Sequence, residues 1–339
     1  MIKYLGSKRL IVSHIVEAVK ELMPRGKVLD LFSGTSRVGI ALKNSGYTVH
    51  ANDYLSYAST IAQCYIAADR KNYLAKAAVD IEDLNFLAST VSGASPNGFF
   101  AKRYAEEAWF FQLKNANRIS AIRDRINTIS GDYTSKAILL TSLMEAADRV
   151  DSTCGIQMAY LKSWAPRSYN PLTLRVPELL EGGGEVTQLL ALECLDKHTA
   201  DITYLDPPYN QHSYLGNYHI WETLVKWDDP EVYGKANKRV QVRETKSMWN
   251  YKMQAQEELK KTLQAVTSKY VILSYNNKGY LSREQIERAL SINFDFEVKE
   301  LSHPAYIGHK IGVYNSLGNK VGNPSSSTVS EFLFIGERR

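Results

Sequence analysis

Four consecutive residues, Asp206-Pro207-Pro208-Tyr209, bring three kinds of chemistry together. The carboxylate can accept a hydrogen bond from an exocyclic amine. The prolines lack N–H groups and fix φ, so the backbone is stiff and its carbonyls are free to accept. The tyrosine offers a flat face on which a base can stack. An apolar run, Ile202-Thr203-Tyr204-Leu205, precedes them and predicts a buried strand. Asp206 then stands at the strand's carboxyl end, where open α/β sheets place their ligands. The set suits methyl transfer to the amino group of a nucleobase. The plainer alternative is a Pro-stiffened turn with Tyr209 packed in the core.

A second constellation lies near the start of the chain. Asp30-Leu31-Phe32-Ser33-Gly34-Thr35-Ser36-Arg37-Val38-Gly39 leaves one predicted strand and enters a helix. Gly34 lets the backbone turn tightly and approach a ligand. Free N–H groups at the following helix start could hold a carboxylate. The string has neither the G-x-G-x-x-G of dinucleotide folds nor the G-K-[ST] of a P-loop, which disfavours nicotinamide and ATP. Asp53 closes the second predicted strand, where a carboxylate can take both hydroxyls of a ribose. An amino acid joined to a nucleoside is S-adenosylmethionine, and these two sites fit it. Taken singly, Gly34 could be an ordinary strand–helix turn and Asp53 a helix cap.

These residues need a scaffold. Periodicity predicts a helix over 10–22, a strand over 27–32, a helix over 36–44, a strand over 47–51 and a helix over 54–68. From about 72 to 175 the chain reads as mostly helical, without alternating strands. Strands return over 185–190, 201–205, 270–275, 294–298 and 331–335, with helices over 254–267 and 282–291 between them. The order predicts an α/β fold with a mostly parallel Rossmann-like sheet. Residues 1–70 and 185–339 would form the catalytic domain, and 71–184 a helical insertion. Pro96 to Gly184 holds 11 Lys/Arg and 9 Asp/Glu, so its overall charge does not mark a nucleic-acid surface.

The bulk numbers agree with a globular protein: 339 residues, 44% hydrophobic and 23% charged, with net charge +5. The pI of about 8.8 is compatible with a polyanionic partner. Cys64, Cys154 and Cys194 form no metal-ligand spacing, and no metal is expected; we read them as reduced thiols of a cytosolic protein. No 18-residue apolar run predicts a membrane helix, and the N-terminus is too polar for a signal peptide. Between Lys235 and Lys252 the cations Lys238, Arg239, Arg243 and Lys246 face one acid, Glu244, with Trp249 and Tyr251 interleaved. That segment reads as a phosphate clamp beside the catalytic strand, or else as a solvated loop. Ser302 to Ser330 has no acid and carries Lys310, and reads as a second DNA-facing loop. Tyr214, Tyr218 and Trp221 could close over a base, the last two equally well packing a helix start; His219 reads as structural. Arg167 or Asn170 could read bases.

Together these strings resemble the Dam-like, D12 class of adenine-N6 DNA methyltransferases, in their alpha motif order and FokI-type branch. Lys3-Tyr4-Leu5-Gly6-Ser7-Lys8 precedes the Gly-bearing motif, and Asp206-Pro-Pro-Tyr-Asn-Gln-His-Ser-Tyr-Leu-Gly-Asn-Tyr-His219 follows a long insertion. Ser274-Tyr275-Asn276-Asn277-Lys278-Gly279 and Glu331-Phe332-Leu333-Phe334-Ile335 also match family strings. The resemblance implies a seven-stranded class I methyltransferase sheet and target recognition by the insertion. It implies S-adenosylmethionine as cofactor and double-stranded DNA as substrate. Tyr4, Gly6 and Lys8 would flank the methionine end; Asp30, Phe32, Gly34, Thr35 and Ser36 would form the cradle, and Asp53 would bind the ribose. Asp206, the Pro207 carbonyl, Pro208 and Tyr209 would hold a flipped adenine, with Tyr214, Lys238, Arg239, Arg243, Lys246 and Lys310 on the DNA. Ser36 replaces a glycine common in the family. No acid stands where the cofactor's adenine is usually met, and Gln188 is the substitute at hand. A monomer is expected, and a companion restriction endonuclease is compatible with the resemblance. Methylation of RNA adenine or guanine, methylation of cytosine N4 in DNA, and a silent DNA-binding homologue remain as other readings.

Overall fold

Segments of three to eleven residues, apolar where they are central, become the strands of a seven-stranded sheet in the computed structural model. The structure describes all residues except 7, 92, 94–97, 130, 305–312, 315–319 and 323–327. The strands are β1 (Lys27–Asp30), β2 (Thr48–Asn52), β3 (Glu185–Thr187), β4 (Ile202–Leu205), β5 (Tyr270–Asn276), β6 (Phe294–Pro304) and β7 (Thr328–Arg338). Their order is β3-β2-β1-β4-β5-β7-β6. Neighbours from β3 through β5 pair in parallel, and β7 runs antiparallel to both β5 and β6. The chain first winds outward from β1 to β3, then crosses back to β4. The strand order therefore reverses between β1 and β4, the place where open α/β sheets bind ligands.

Both faces of the sheet are covered, which is why its central strands are apolar throughout. Successive side chains point to opposite faces. Val28, Ile202 and Ile272 pack with Ile15 and Val19 of the helix Val12–Leu22. Leu29, Leu205 and Leu273 pack with Leu259 and Leu263 of Lys252–Ala265 and with Ile286 and Leu290 of Arg283–Leu290. The last helix starts with a capping box between Ser282 and Gln285, which satisfies two otherwise free N–H groups.

The helical region gathers around its own buried aromatics. Arg70–Thr90, Leu113–Thr128 and Tyr133–Val150 pack on Phe100, Tyr104, Phe110 and Phe111. The same core takes in Tyr57, Leu215, Tyr218 and Trp221, which flank the cofactor and D-P-P-Y strings. Helix ends earlier here than periodicity predicts. After Val150 the chain returns as irregular strand-like backbone with one 3-10 turn, Pro166–Tyr169. Prolines at 166, 171 and 177 forbid helical pairing. Polar side chains of the helices hold the returning chain instead. Asn115 Nδ2 donates to the carbonyls of Ser168 (3.2 Å) and Asn170 (2.9 Å), and its Oδ1 accepts from Leu172 N at 3.1 Å. Asn85 Oδ1 accepts from Leu174 N at 2.8 Å. No helix among the described residues is long and apolar enough to cross a membrane.

Candidate active site

The carboxyl ends of β1, β2 and β4 open onto one cavity of about 560 Å³, within the range of small-molecule sites. Residues of both sequence constellations line it: Tyr4, Gly6, Lys8, Asp30, Phe32, Gly34, Thr35 and Asp53 from one, Asp206, Pro208 and Tyr214 from the other. Ser36 and Pro207 are buried beside it.

After β1 the backbone turns through two left-handed residues, Gly34 (φ +51°) and Ser36 (φ +58°). A side chain at 34 would bring a Cβ within 3.2 Å of the Tyr4 ring, so the turn needs glycine for its angle and for its space. Ser36 adopts this left-handed conformation at the position where the resemblance leads one to expect glycine. Its side chain does not cap the helix Arg37–Asn44, leaving that helix start uncapped beside the cavity. Asp53 ties the turn from the side: Oδ2 accepts from Gly34 N at 3.0 Å and Oδ1 from Leu55 N at 3.0 Å. It therefore orders the turn and the start of the helix Ser56–Ala62 while facing the cavity. Burial pushes its carboxyl up to about 6, against those two bonds.

Asp30 is 1% exposed, and among the described residues its Oδ2 has no hydrogen-bond partner. Burial, with Asp206 nearby, pushes its carboxyl up to about 8. A buried acceptor without a donor is costly, and a cationic ligand group in the cavity would relieve it. Ser33 Oγ and Ser36 Oγ are also buried and, among the described residues, unpartnered. An uncapped helix start, a buried acid with one oxygen unpartnered among the described residues, and a second acid at Asp53 fit the carboxylate, ammonium and ribose of S-adenosylmethionine. Tyr4 stacks between Tyr214 (5.2 Å between centroids, 7°) and Tyr218 (4.7 Å, 16°). Gly6 (φ +77°) gives Tyr214 room: a Cβ there would stand 2.8 Å from the tyrosine hydroxyl. Tyr214 is thus part of the cavity wall.

At the β4 end, Lys8 Nζ lies 2.8 Å from Asp206 Oδ1, 3.1 Å from Glu331 Oε1 and 2.7 Å from the Tyr209 hydroxyl. The hydroxyl's one proton sits between Asp206 Oδ1 at 2.6 Å and Glu331 Oε1 at 2.8 Å. Glu331 comes from β7 and also accepts from Ser274 Oγ at 2.7 Å. Burial opposes the charge on Lys8, but Asp206 and Glu331 outweigh it and raise the ammonium's pKa. Glu331 is held below the ordinary range, because Lys8 and its hydrogen bonds overcome burial. Asp206 is raised by burial and by Glu331 against the pull of Lys8. Among the described residues no donor reaches Asp206 Oδ2, so that oxygen remains for a ligand. Tyr209 presents its hydroxyl to this cluster, and its ring lies 4.5 Å from Tyr275 and 4.7 Å from Lys8 Nζ.

The basic segment divides. Arg239 is 4% exposed and makes two bonds to Asp228, at 2.7 and 2.6 Å, with Thr223 Oγ1 at 3.2 Å. Its placement corrects the expectation of a surface phosphate contact: the guanidinium faces inward. Lys238 is half-buried, which lowers its pKa. Arg243 is exposed and stacks on Tyr233 at 3.6 Å. Lys246 lines the cavity, 4.4 Å from the Tyr251 ring. Lys310 lies outside the described residues, as does most of its loop. Arg167 is tied to Asp151 at 2.7 Å and to the Thr153 carbonyl at 2.5 Å. Tyr218 and Trp221 are core residues, and Leu5 N donates to the Tyr218 hydroxyl at 2.5 Å. His219 is fully buried, bonded through Nε2 to the Gln157 carbonyl at 2.9 Å, and burial depresses it to about 3. Gln188 donates to Tyr54 O and Ser56 Oγ, so its amide is engaged within the fold. Away from the cavity His50, Glu185 and His198 converge, but Lys27 Nζ already neutralises Glu185 at 2.9 Å.

The residues alone give Glu331 and Tyr54 no role, and mark Trp249 only as an aromatic of the basic segment. Trp249 stands edge-on to Phe32 at 5.7 Å, and Tyr54 lines the cavity next to Asp53.

The sequence model of the "D12 class N6 adenine-specific DNA methyltransferase" matches residues 4–287. The chain belongs to this family. Among its relatives, the type II methyltransferase M.FokI of Planomicrobium okeanokoites is 30% identical over 302 residues, covering 85% of this chain and 46% of the relative. The modification methylase StsI of Streptococcus sanguinis is 28% identical, covering 90% and 48%. The type II methyltransferase M.NlaIII of Neisseria lactamica is 31% identical, covering 76% and 77%. This D12 chain thus spans about half the length of the first two relatives. Among solved structures, TehB from Haemophilus influenzae is similar at a TM-score of 0.32 and 8% identity, covering 96% of this chain and 62% of that one. That likeness is too distant to add to the sheet order.

Proposed function

We propose that this D12-class chain transfers a methyl group from S-adenosylmethionine to N6 of an adenine flipped out of double-stranded DNA. The single observation that carries the reading is one cavity at the sheet's switch point. It joins an unsatisfied acid, a glycine turn and Asp53 to the free Oδ2 of Asp206. When bound, S-adenosylmethionine supplies a methyl group on an electrophilic sulfonium. The uncapped helix start at Arg37 would take its carboxylate, Asp30 its ammonium and Asp53 its ribose hydroxyls.

The adenine N6 lone pair is delocalised into the ring and is a weak nucleophile. Asp206 Oδ2 and the Pro207 carbonyl would each accept from the amine, favouring a more tetrahedral nitrogen with its lone pair aimed at the methyl. These residues contribute position and fixed charge. The raised Asp206 carboxyl can hold the amine proton as it leaves. Flipping the base costs a few kcal/mol, which stacking on the Tyr209 ring would partly offset. Arg243 and Lys246 would meet phosphates, and the insertion, 71–184, would read the target. A monomer suits methylation of one strand at a time.

Expression in a host without adenine methylation, followed by single-molecule sequencing of its DNA, tests this. N6-methyladenine at one fixed sequence context is expected. Unmodified adenine with modified RNA would move the protein to RNA, and no modification in either would favour a silent binder.

A further inference from the structure

Lys8 alone would neutralise Asp206 and make it a weak acceptor. The structure places a second carboxylate on the same ammonium, from a strand two places along the sheet from β4. Resting on the proposed methyl transfer, we infer that Glu331 is a positioning residue. It shares Lys8 and the Tyr209 hydroxyl with Asp206, keeps one net negative charge in the cluster, and thereby turns Asp206 Oδ2 toward the target amine.

Glu331 is 4% exposed where β7 begins to pair with β5, opposite Asn276 of β5 and Leu301 of β6. A carboxylate in that place is expensive to bury, and packing alone would be better served by an apolar side chain. Its three bonds go to Lys8, Tyr209 and Ser274, and two of those groups are the partners of Asp206 Oδ1. The contacts form a closed ring of Lys8, Asp206, Tyr209 and Glu331. Each donor in it touches both carboxylates, so neither donor can swing without loosening both. Oδ1 of Asp206 is held twice, which fixes the carboxylate and leaves its second oxygen without a donor among the described residues, on a residue that lines the cavity.

The charged and titratable groups facing Asp206 are Lys8 from the N-terminal segment, Glu331 from β7, Tyr204 from β4, Asp30 from β1, and Tyr209 and Tyr214 from its own loop. Glu331 raises Asp206, whereas the Tyr209 hydroxyl and Lys8 lower it. Removing Glu331 therefore shifts Asp206 down, and removing the Tyr209 hydroxyl or Lys8 shifts it up.

The test uses the full chain, with Glu331→Gln, Glu331→Asp and Tyr209→Phe. Kinetics with S-adenosylmethionine and duplex DNA are followed from pH 5 to 9. Glu331→Gln is expected to lower kcat at least tenfold, with both KM values within twofold, and to move the acid limb of kcat to lower pH. Glu331→Asp restores part of kcat. Tyr209→Phe moves the acid limb the other way. An independent arm titrates the Lys8 resonance in unliganded protein carrying ¹³C-labelled lysine, assigned with Lys8→Arg. Lys8 should titrate at lower pH in Glu331→Gln than in the wild type. A Glu331→Gln protein with kcat within twofold of wild type and an unmoved limb overturns the inference. If the wild type methylates nothing, the functional reading fails while the lysine titration still judges the ring; an unmoved Lys8 resonance refutes it.

Discussion

Replacing Lys8 with methionine removes the cation from a cluster that holds two carboxylates within 3.1 Å of it. Lys8 is 7% exposed, so water cannot take its place without rearrangement. Breaking a buried ion pair from one side costs about 3–5 kcal/mol. At about 1.4 kcal/mol per pH unit, that equals an upward shift of roughly 2–4 units for the carboxylate pair. Asp206 and Glu331 would then share one proton near neutrality, as close carboxylate dyads do. An acid whose folded pKa is raised costs nothing below its unfolded value; its penalty grows as pH rises from the unfolded to the folded value and is constant above that. Lys8→Met should therefore lose about 3–5 kcal/mol relative to wild type at pH 8, and less than half of that at pH 5. Urea unfolding of both proteins at the two pH values measures it. A loss below about 1 kcal/mol at pH 8, or the same loss at both pH values, would refute the ring of contacts.

Three further outcomes are expected. Arg239→Met should destabilise the fold by about 2–4 kcal/mol, discounted for the partly exposed Asp228, and leave the salt dependence of DNA binding unchanged. Arg243→Gln should do the reverse, lowering the slope of log K against log salt by about one; equal behaviour of the two variants would contradict their placement. Gly34→Ala must hold an alanine at φ +51° with its Cβ 3.2 Å from Tyr4. At roughly 1–2 kcal/mol this weakens S-adenosylmethionine binding roughly 5- to 30-fold in a fluorescence titration, and binding within twofold of wild type would argue against the cradle. Burial holds His219 neutral down to about 3 and His50 down to about 4. Unfolded histidine protonates near about 6.5, so stability is complete above that pH and falls as pH drops toward 4, by at most about 1.4 kcal/mol per unit for each histidine. His219→Gln should flatten the slope in thermal melts between pH 4.5 and 7.5; an unchanged slope would count against the buried neutral ring.

The strands that carry the site are legible because their chemistry is local. β1 and β4 carry apolar residues toward both faces; β1 ends on Asp30, and Asp206 directly follows β4. The lengths of β6 and β7 are not legible in the same way. Each runs eleven residues, held by the other across an antiparallel ladder, and their mixed outer positions hide the continuation beyond a short apolar centre. Arg239 looks like its neighbours in a basic run. Only the fold brings Asp228 and Thr223 to its guanidinium. Glu331 at the head of an apolar strand reads as an edge residue, and nothing nearby in sequence shows that Lys8 will meet it. The helix expected beyond Val150 yields to a proline-bearing return chain, whose hydrogen bonds go to asparagines on distant helices.

The central claim is that Asp206 and the cavity beside it methylate adenine. Labelled S-adenosylmethionine incubated with unmethylated duplex DNA, digested to nucleosides and weighed by mass spectrometry, tests it most directly. The wild type should yield labelled N6-methyladenine, and Asp206→Ala should bind the DNA but yield none. Labelled N4-methylcytosine, or undiminished N6-methyladenine from Asp206→Ala, would contradict the account.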